Sequence, residues 1–413
     1  MQDNGLRLDK ACEQSPFLSL HVKTREFIKQ KSDFYSFSFS QIRQLITAAV
    51  DLQMWGLDAK TLWQDSGKKS FKSFFEKYEQ IKNSPKEYFR IKTPKRDRKL
   101  EFLSIDKEIL GFGKCPVASL KTRCCNLLTL DVVEGCAYGC SYCSIQTFYD
   151  SKISLNKDFA LKLSQIKLNP NEIYHIGTGQ SSDSLMLGNK EGILEVLIEF
   201  ARKNPNVILE FKSKSNNIDY LLKTDLPPNI ICTFSLNPQI VIDNEEYFTP
   251  SIEKRIQSAK SLSQKGVLVG FHFHPMIYFK NWKEEYEKIA AKLLKTFESK
   301  SVALVSMGAL TFTKPVLKQI RAKANNSRIL QMPLFDINGK FSYPTHVKES
   351  MFGALYRAFE AWHKDVFFYL CMEDESLWKN VFGFEYKNNE MFEDAMKKAY
   401  MYKIKKYSNE SYK

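Results

Sequence analysis

Between about Cys115 and Arg321, short runs of β-branched and aromatic residues alternate with stretches whose apolar positions recur at helical spacing. Six runs read as strands: Thr129–Val133, Glu172–Ile176, Val207–Phe211, Ile230–Phe234, Val267–Phe271 and Val302–Val305. Between them Gly192–Ala201, Ser251–Lys265 (opened by Thr249-Pro250-Ser251) and Trp282–Phe297 read as helices. Repeated βα units require right-handed crossovers and a parallel sheet, arranged as a barrel or as an open doubly wound sheet. Upstream the rhythm differs. Ser40–Trp55 carries Ile42, Leu45, Ile46, Val50 and Leu52 at roughly helical spacing with Gly56 as a stop, so residues 1–100 are expected to form a separate, mainly helical segment. Downstream, Glu349–His363 reads as an amphipathic helix and Val366–Cys371 as a core strand. The expected division is residues 1–100, 101–325 and 326–413, the last an α/β cap that closes the barrel and ends in a basic tail.

Charge adds a partner class. The chain has 413 residues, a formal net charge of +14 and an apolar share of 43%, a globular composition with a bias toward polyanions. From Lys60 to Lys99 there are 13 Lys or Arg against 5 acids, a net of +8, interleaved with Phe71, Phe74, Phe75, Tyr78, Tyr88 and Phe89. Bases between aromatic rings can grip phosphates and stack nucleobases; an amphipathic helix with a lysine face reads the same way. Thr93–Lys99 looks like a linker. Met396–Lys413 sets six lysines among Tyr400, Tyr402, Tyr407 and Tyr412, a second nucleic-acid contact or a frayed terminus. With no apolar leader at Met1–Arg7 and no apolar run of about 18 residues, a cytoplasmic protein is expected.

The chemistry concentrates in Gly135–Ser144, where Cys136, Cys140 and Cys143 stand at spacings of four and three. With nine Cys in the chain, a random arrangement would contain that spacing in roughly three chains per thousand. Three thiolates on one tight loop can converge on one centre. An iron–sulfur cube normally takes four cysteine ligands, so three leave one iron open to something other than protein. The alternative is a zinc site completed by Cys124, Cys125 or a histidine, although zinc sites usually come as spaced doublets. Nine cysteines with three clustered suit a reducing compartment and a metal better than a disulfide framework. The loop would follow the first strand directly, placing chemistry at the carboxyl ends of the strands. Other strand ends supply Gly177-Thr178-Gly179-Gln180, Lys212-Ser213-Lys214, Ser235-Leu236-Asn237-Pro238 and Gly270-Phe271-His272-Phe273-His274-Pro275. Strand alternation would put His272 and His274 on one face, Phe271 and Phe273 on the other; as core histidines they could equally be structural.

The cysteine loop resembles the signature of the radical S-adenosylmethionine (SAM) enzymes. Together with Gly177–Asp183, Leu209–Ser215, Thr233–Pro238, Gly270–Ile277, Tyr369–Glu373 and Trp378–Gly383 it is similar to spore photoproduct lyase and its wider family, over roughly residues 115–385. The resemblance implies a partial (β/α)6 barrel, a [4Fe-4S] cluster held by Cys136, Cys140 and Cys143, SAM bound at the open iron, and a 5′-deoxyadenosyl radical that abstracts hydrogen from a thymine–thymine photoproduct in DNA. It implies an electron donor such as flavodoxin or ferredoxin. It also makes Tyr142, Gly177, Thr178, Gly179, Lys212, Lys214, Ser235 and His274 candidate SAM neighbours, with Tyr142 and Gln180 at catalytic positions. Two departures stand out. The family returns hydrogen to the product radical from a cysteine where this chain has Gln180, and it carries a tyrosine where this chain has Ser144, in a relay that regenerates SAM. Cys232, Cys371 or Cys124 could replace the missing thiol, each being otherwise a small buried apolar residue. A lyase-type enzyme acting on DNA or another nucleic acid is therefore expected. The alternatives are a radical SAM enzyme for a peptide or small metabolite, and a nucleic-acid-binding protein with a structural metal.

Overall fold

The computed structural model describes residues 10, 12–13, 15–88, 99–108, 110–115, 122–149, 152–322, 327–329, 334–337 and 339–411. The chain divides into two units. The first comprises residues 1–88, 278–280 and 312–344. Its core is built from α1 (Val22–Phe34), α2 (Phe39–Met54) and α3 (Ser70–Asn83). α2 starts in a reciprocal cap, the Ser38 hydroxyl accepting from the Gln41 amide at 3.3 Å while the Gln41 side chain accepts from the Ser38 amide at 2.9 Å. Its buried face is Ile42, Leu45, Ile46, Ala49 and Leu52, the periodicity expected. In α3 the rings turn inward: Phe74 and Tyr78 are buried, and Phe71 and Phe75 pack against the same core. Phe74 and Tyr78 are thus core residues, Phe71 and Phe75 keep part of their surface exposed, and Lys68 and Lys69 just before the helix and Lys72 on it are exposed. The linker read at Thr93–Lys99 lies outside the described residues except for its last position.

The second unit comprises residues 89–277, 281–311 and 345–413. One eight-stranded sheet runs through it. In chain order its strands are β1 (Gly111–Lys114), β2 (Leu128–Asp131), β3 (Tyr174–Thr178), β4 (Val207–Ser213), β5 (Ile230–Ser235), β6 (Leu268–Met276), β7 (Val302–Ala309) and β8 (Phe367–Leu370). Spatial order follows chain order, with β1 and β8 at the two edges. Every neighbouring pair from β2 to β8 is parallel; β1 pairs antiparallel with β2. The crossovers carry α4 (Ile193–Lys203), α5 (Ile252–Gln264), α6 (Trp282–Thr296) and α7 (Thr345–Ala358). β5 and β7 are buried along their whole length, as parallel strands covered on both faces must be, which is why they read as unbroken apolar runs.

The expected boundaries change at the tail. Residues 312–344 belong to the first unit and 345–413 to the second, so 326–413 is not a cap separate from the barrel; β8 extends its sheet beside β7. The end of the chain is also not frayed through Tyr407. α8 (Asn389–Ser411) buries Met396, Tyr400 and Ile404, and Lys403 Nζ donates to the Ser299, Val302 and Asp365 carbonyls at 2.6 Å each. No helix among the described residues is long and apolar enough to cross a membrane.

Candidate functional site

A cavity of about 320 Å³ opens at the carboxyl ends of β3 to β8, lined by Gln180, Lys212, Lys214, Ser235, His274 and Cys371 among others. Cys136, Cys140 and Cys143 line the same cavity. The chain fixes their loop from three directions. At its start, Gly135 has φ +84° and a Cβ there would lie 1.9 Å from the Lys152 carbonyl oxygen, so only glycine fits. The Gly135 amide donates to the Ser181 carbonyl at 2.9 Å, and the Ser182 hydroxyl to the Gly135 carbonyl at 2.7 Å, which binds the turn after β3 to the loop. In the middle, Gly139-Cys140 pairs antiparallel with Glu246-Tyr247, and the Ser141 amide donates to the Glu245 carbonyl at 2.8 Å. Behind this pairing lies an ion pair with both side chains at 0% exposure, Arg255 and Glu246, at 2.6 Å. Glu246 also accepts from the Tyr142 hydroxyl and, at 2.8 Å, from Asn237. Burial alone would raise the Glu246 carboxyl, but Arg255 and Lys214 outweigh it and hold it at about 2.

Tyr142 is thereby tethered by its hydroxyl, with its ring on the cavity and Lys214 Nζ 5.9 Å from the ring centroid. Burial pushes all three loop thiols above the usual cysteine value, with Asp183 adding to it at Cys136 and the Lys214 ammonium opposing it at each. A metal must displace those protons. Among the described residues no three His, Cys, Asp or Glu side chains already stand where they could hold a metal ion. The donor set nonetheless fits a cluster with one open iron: three soft ligands on one loop, facing a cavity that leaves room for a further ligand.

The turn after β3 is set by Asp183. Its carboxylate accepts from the Leu185 and Met186 amides at 3.1 and 3.0 Å, from the Ser213 hydroxyl at 2.6 Å and from the Lys214 amide at 2.7 Å. That arrangement places Gly179 and Gln180 on the cavity. It does not place Gly177 or Thr178 there. Gly177 lies within β3 against Leu127, and the Thr178 hydroxyl donates to Ser184 at 2.7 Å, because both still belong to the strand and point into its packing. Neither residue lines the cavity.

His272 and His274 share the cavity face, while Phe271 packs on Phe297 and Phe273 on Tyr286 and Phe359. His272 is structural in part: Nε2 meets Glu210 at 2.7 Å and Nδ1 meets the Ser306 hydroxyl. His175 Nε2 reaches the other Glu210 oxygen at 2.8 Å, and the Thr233 hydroxyl donates to Glu210 at 2.6 Å. Burial alone would raise the Glu210 carboxyl; hydrogen bonds from the two histidines outweigh it and hold it well below the usual range. His272 is pushed down to about 4 by burial and by Lys212. Its Nε2–H therefore donates to the carboxylate and Nδ1 accepts from Ser306. His274 has its own room, since a Cβ at Gly308 would come within 2.7 Å of its ring. Burial and the two lysines push its pKa well down, so it presents a neutral imidazole to the cavity. Glu210, Asp183 and the Arg255–Glu246 pair were not foreseen. The one sequence cue was an acid inside an apolar run, Glu210 in Val207–Phe211.

An open, mostly parallel βα sheet with a three-cysteine loop at its strand ends defines an α/β protein of the radical SAM partial-barrel kind. The spore photoproduct lyase family profile matches residues 59–341, and the chain belongs to that family. It is 32% identical over 169 residues to the spore photoproduct lyase of Clostridium acetobutylicum, covering 40% of this chain and 50% of that protein. It is 24% identical over 208 residues to that of a Geobacillus species, covering 48% and 61%. The chain thus spans about half the length of the curated relatives it matches. Among solved structures it is similar to a spore photoproduct lyase double mutant with bound AdoMet and dinucleoside spore photoproduct, with a TM-score of 0.54, 20% identity and coverage of 65% of this chain and 81% of that one. A second, complexed with dinucleoside spore photoproduct, has a TM-score of 0.53 at 20% identity, covering 65% and 82%. These likenesses establish the fold.

Proposed function

We propose that this chain is a radical SAM enzyme that binds one [4Fe-4S] cluster through Cys136, Cys140 and Cys143 and acts as a carbon–carbon lyase on a thymine photoproduct in DNA. The observation that carries the reading is the three-thiol loop facing a cavity lined by Lys212, Lys214, His274 and Gln180 at the carboxyl edge of a parallel sheet. When bound, the cluster with SAM supplies a 5′-deoxyadenosyl radical that removes a hydrogen atom from the substrate. The protein's own part is placement. Tyr142, tied to Glu246, walls one side. Lys212 and Lys214 put positive charge where the SAM carboxylate or a substrate phosphate would sit. Neutral His274 offers one donor and one acceptor, and the Ser235 carbonyl, accepting from Arg255 at 2.9 Å, holds the end of β5 in position. A net charge of +14 favours a polyanionic substrate, and the similar structures with bound dinucleoside photoproduct support the same class. A flipped-out lesion dinucleotide is the natural way for a duplex to enter such a cavity.

The test is anaerobic turnover with dinucleoside spore photoproduct, SAM and a low-potential flavodoxin or ferredoxin. Thymine dinucleoside is the expected product, with 5′-deoxyadenosine formed only when SAM is present. Recovery of unchanged photoproduct after repeated SAM cleavage would contradict the lesion assignment.

A further inference from the structure

One group of side chains on the cavity has no task in the account above. Cys115, Cys124, Cys125 and Cys371 line it as well as the three loop thiols, and all four are free of disulfides. Cys371 follows β8 directly and its amide donates to the Met307 carbonyl at 2.7 Å, so its backbone is anchored at the carboxyl edge of the sheet, within electrostatic reach of Lys212. Cys124 and Cys125 are hydrogen-bonded through their side chains, and Cys371 lies within electrostatic reach of both. Cys124 is 3% exposed, while Cys125 and Cys371 are only partly buried. Cys232, the remaining thiol considered for hydrogen return, is fully buried within β5 and does not line the cavity.

We propose that Cys371, with Cys125 beside it, returns the hydrogen atom to the substrate radical in this chain, at the opposite end of the sheet order from β3 and the Gln180 turn that follows it. The proposal rests on the lesion reading above. After the carbon–carbon bond splits, the product radical takes hydrogen from Cys371 Sγ–H: the S–H bond breaks homolytically, a C–H bond forms, and the unpaired electron passes to sulfur. The S–H bond is about as weak as the C–H bond formed on a resonance-stabilised thymine methyl radical, so the exchange is open to a thiol and is drawn forward by re-reduction of the thiyl, whereas the amide N–H of Gln180 is too strong to give up a hydrogen atom. Burial pushes the Cys371 thiol up to about 12, and the hydrogen bond with Cys124, with burial adding to it, holds Cys125 well above the cysteine range, which keeps both as thiols, the form that carries a transferable hydrogen. The thiyl radical is then closed by one electron from the low-potential carrier and one proton from water. No hydrogen goes back to 5′-deoxyadenosine, so one SAM is consumed per product, in keeping with Ser144 standing where the relay tyrosine would be.

The experiment is turnover of dinucleoside spore photoproduct in deuterium oxide, where thiol hydrogens exchange and carbon-bound ones do not. The native chain should place one solvent deuterium in the product and form one 5′-deoxyadenosine per product. The near-isosteric Cys371→Ser should still form 5′-deoxyadenosine while deuterated product falls at least about tenfold and radical by-products appear. Independently of turnover, at about pH 9.5 and with exposure long enough for the small thiolate fraction to react, the dinucleoside should slow iodoacetamide labelling of Cys371 in the native protein, read by peptide mass. Product without solvent deuterium, undiminished deuteration in Cys371→Ser, or labelling of Cys371 unaffected by the dinucleoside would overturn this inference alone. Photoproduct recovered intact from the native chain would overturn the lesion reading and the inference with it.

Discussion

Arg255 and Glu246, both at 0% exposure, show what the site demands of single residues. Removing one partner strands a buried charge, which typically costs about 3–5 kcal/mol, whereas replacing both with apolar residues is often close to neutral. Arg255→Met is therefore expected to lose most of that amount in urea unfolding, and Arg255→Met with Glu246→Leu to recover a large part of it; equal losses in the single and double variants would remove the pair from the account. Titration gives a second expectation. His272 stays neutral in the folded chain down to about 4, against an ordinary 6.5, so between those values the unfolded chain holds more protons and stability rises with pH. Acidification across that window should cost up to about 1.4 kcal/mol per pH unit from this residue. Glu210, held low, contributes in the same direction, its share being lost only as pH falls through the carboxylate range. His272→Gln keeps a donor for Glu210 and should flatten the slope between pH 4 and 6.5; an unchanged slope would place the titration elsewhere. Spacing made Cys136, Cys140 and Cys143 legible, and strand alternation made the shared face of His272 and His274 legible. Glu210, Asp183 and Glu246 were not, since their meaning lies in partners 30 or more residues away in several cases.

At the scale of elements, all six strands expected from apolar runs are present and parallel; β3 is shifted by two residues, while β6 and β7 run on past their expected ends to Met276 and Ala309. Burial on both faces makes such runs plain. The edge strands were harder to see. β1 contains two glycines in four residues, and the small sheet of Glu101–Ile105, Lys152–Asn156 and Val133–Glu134 is too polar and short for any periodicity to emerge. Aromatics among lysines in α3 were ambiguous for a physical reason: an amphipathic helix interleaves inward rings and outward charges in the same way as a stacking surface. If Lys68, Lys69 and Lys72 each contact a phosphate, changing all three to Gln should make the dependence of log K on log salt shallower by up to about 2.7 for duplex DNA. An unchanged slope in a fluorescence-anisotropy titration would mean that these lysines are only solvated.

For the whole molecule, the first unit gathers its segments from residues 1–88, 278–280 and 312–344, and so the expected cut near residue 325 could not be found from a change of rhythm along the chain. Sequence order and spatial grouping part company where a hairpin such as Phe335–Ile337 with Lys340–Ser342 joins helices from the other end of the chain. The second unit, by contrast, keeps chain order across its sheet, which is why the position of the cysteine loop predicted the location of the cavity. The central claim is that this loop holds a cluster that cleaves SAM. The most direct measurement is 5′-deoxyadenosine released from SAM by anaerobically reconstituted, chemically reduced protein, native against Cys140→Ala. The account predicts release by the native chain, with about four irons bound, and none by the variant; release by Cys140→Ala at the native level would contradict it.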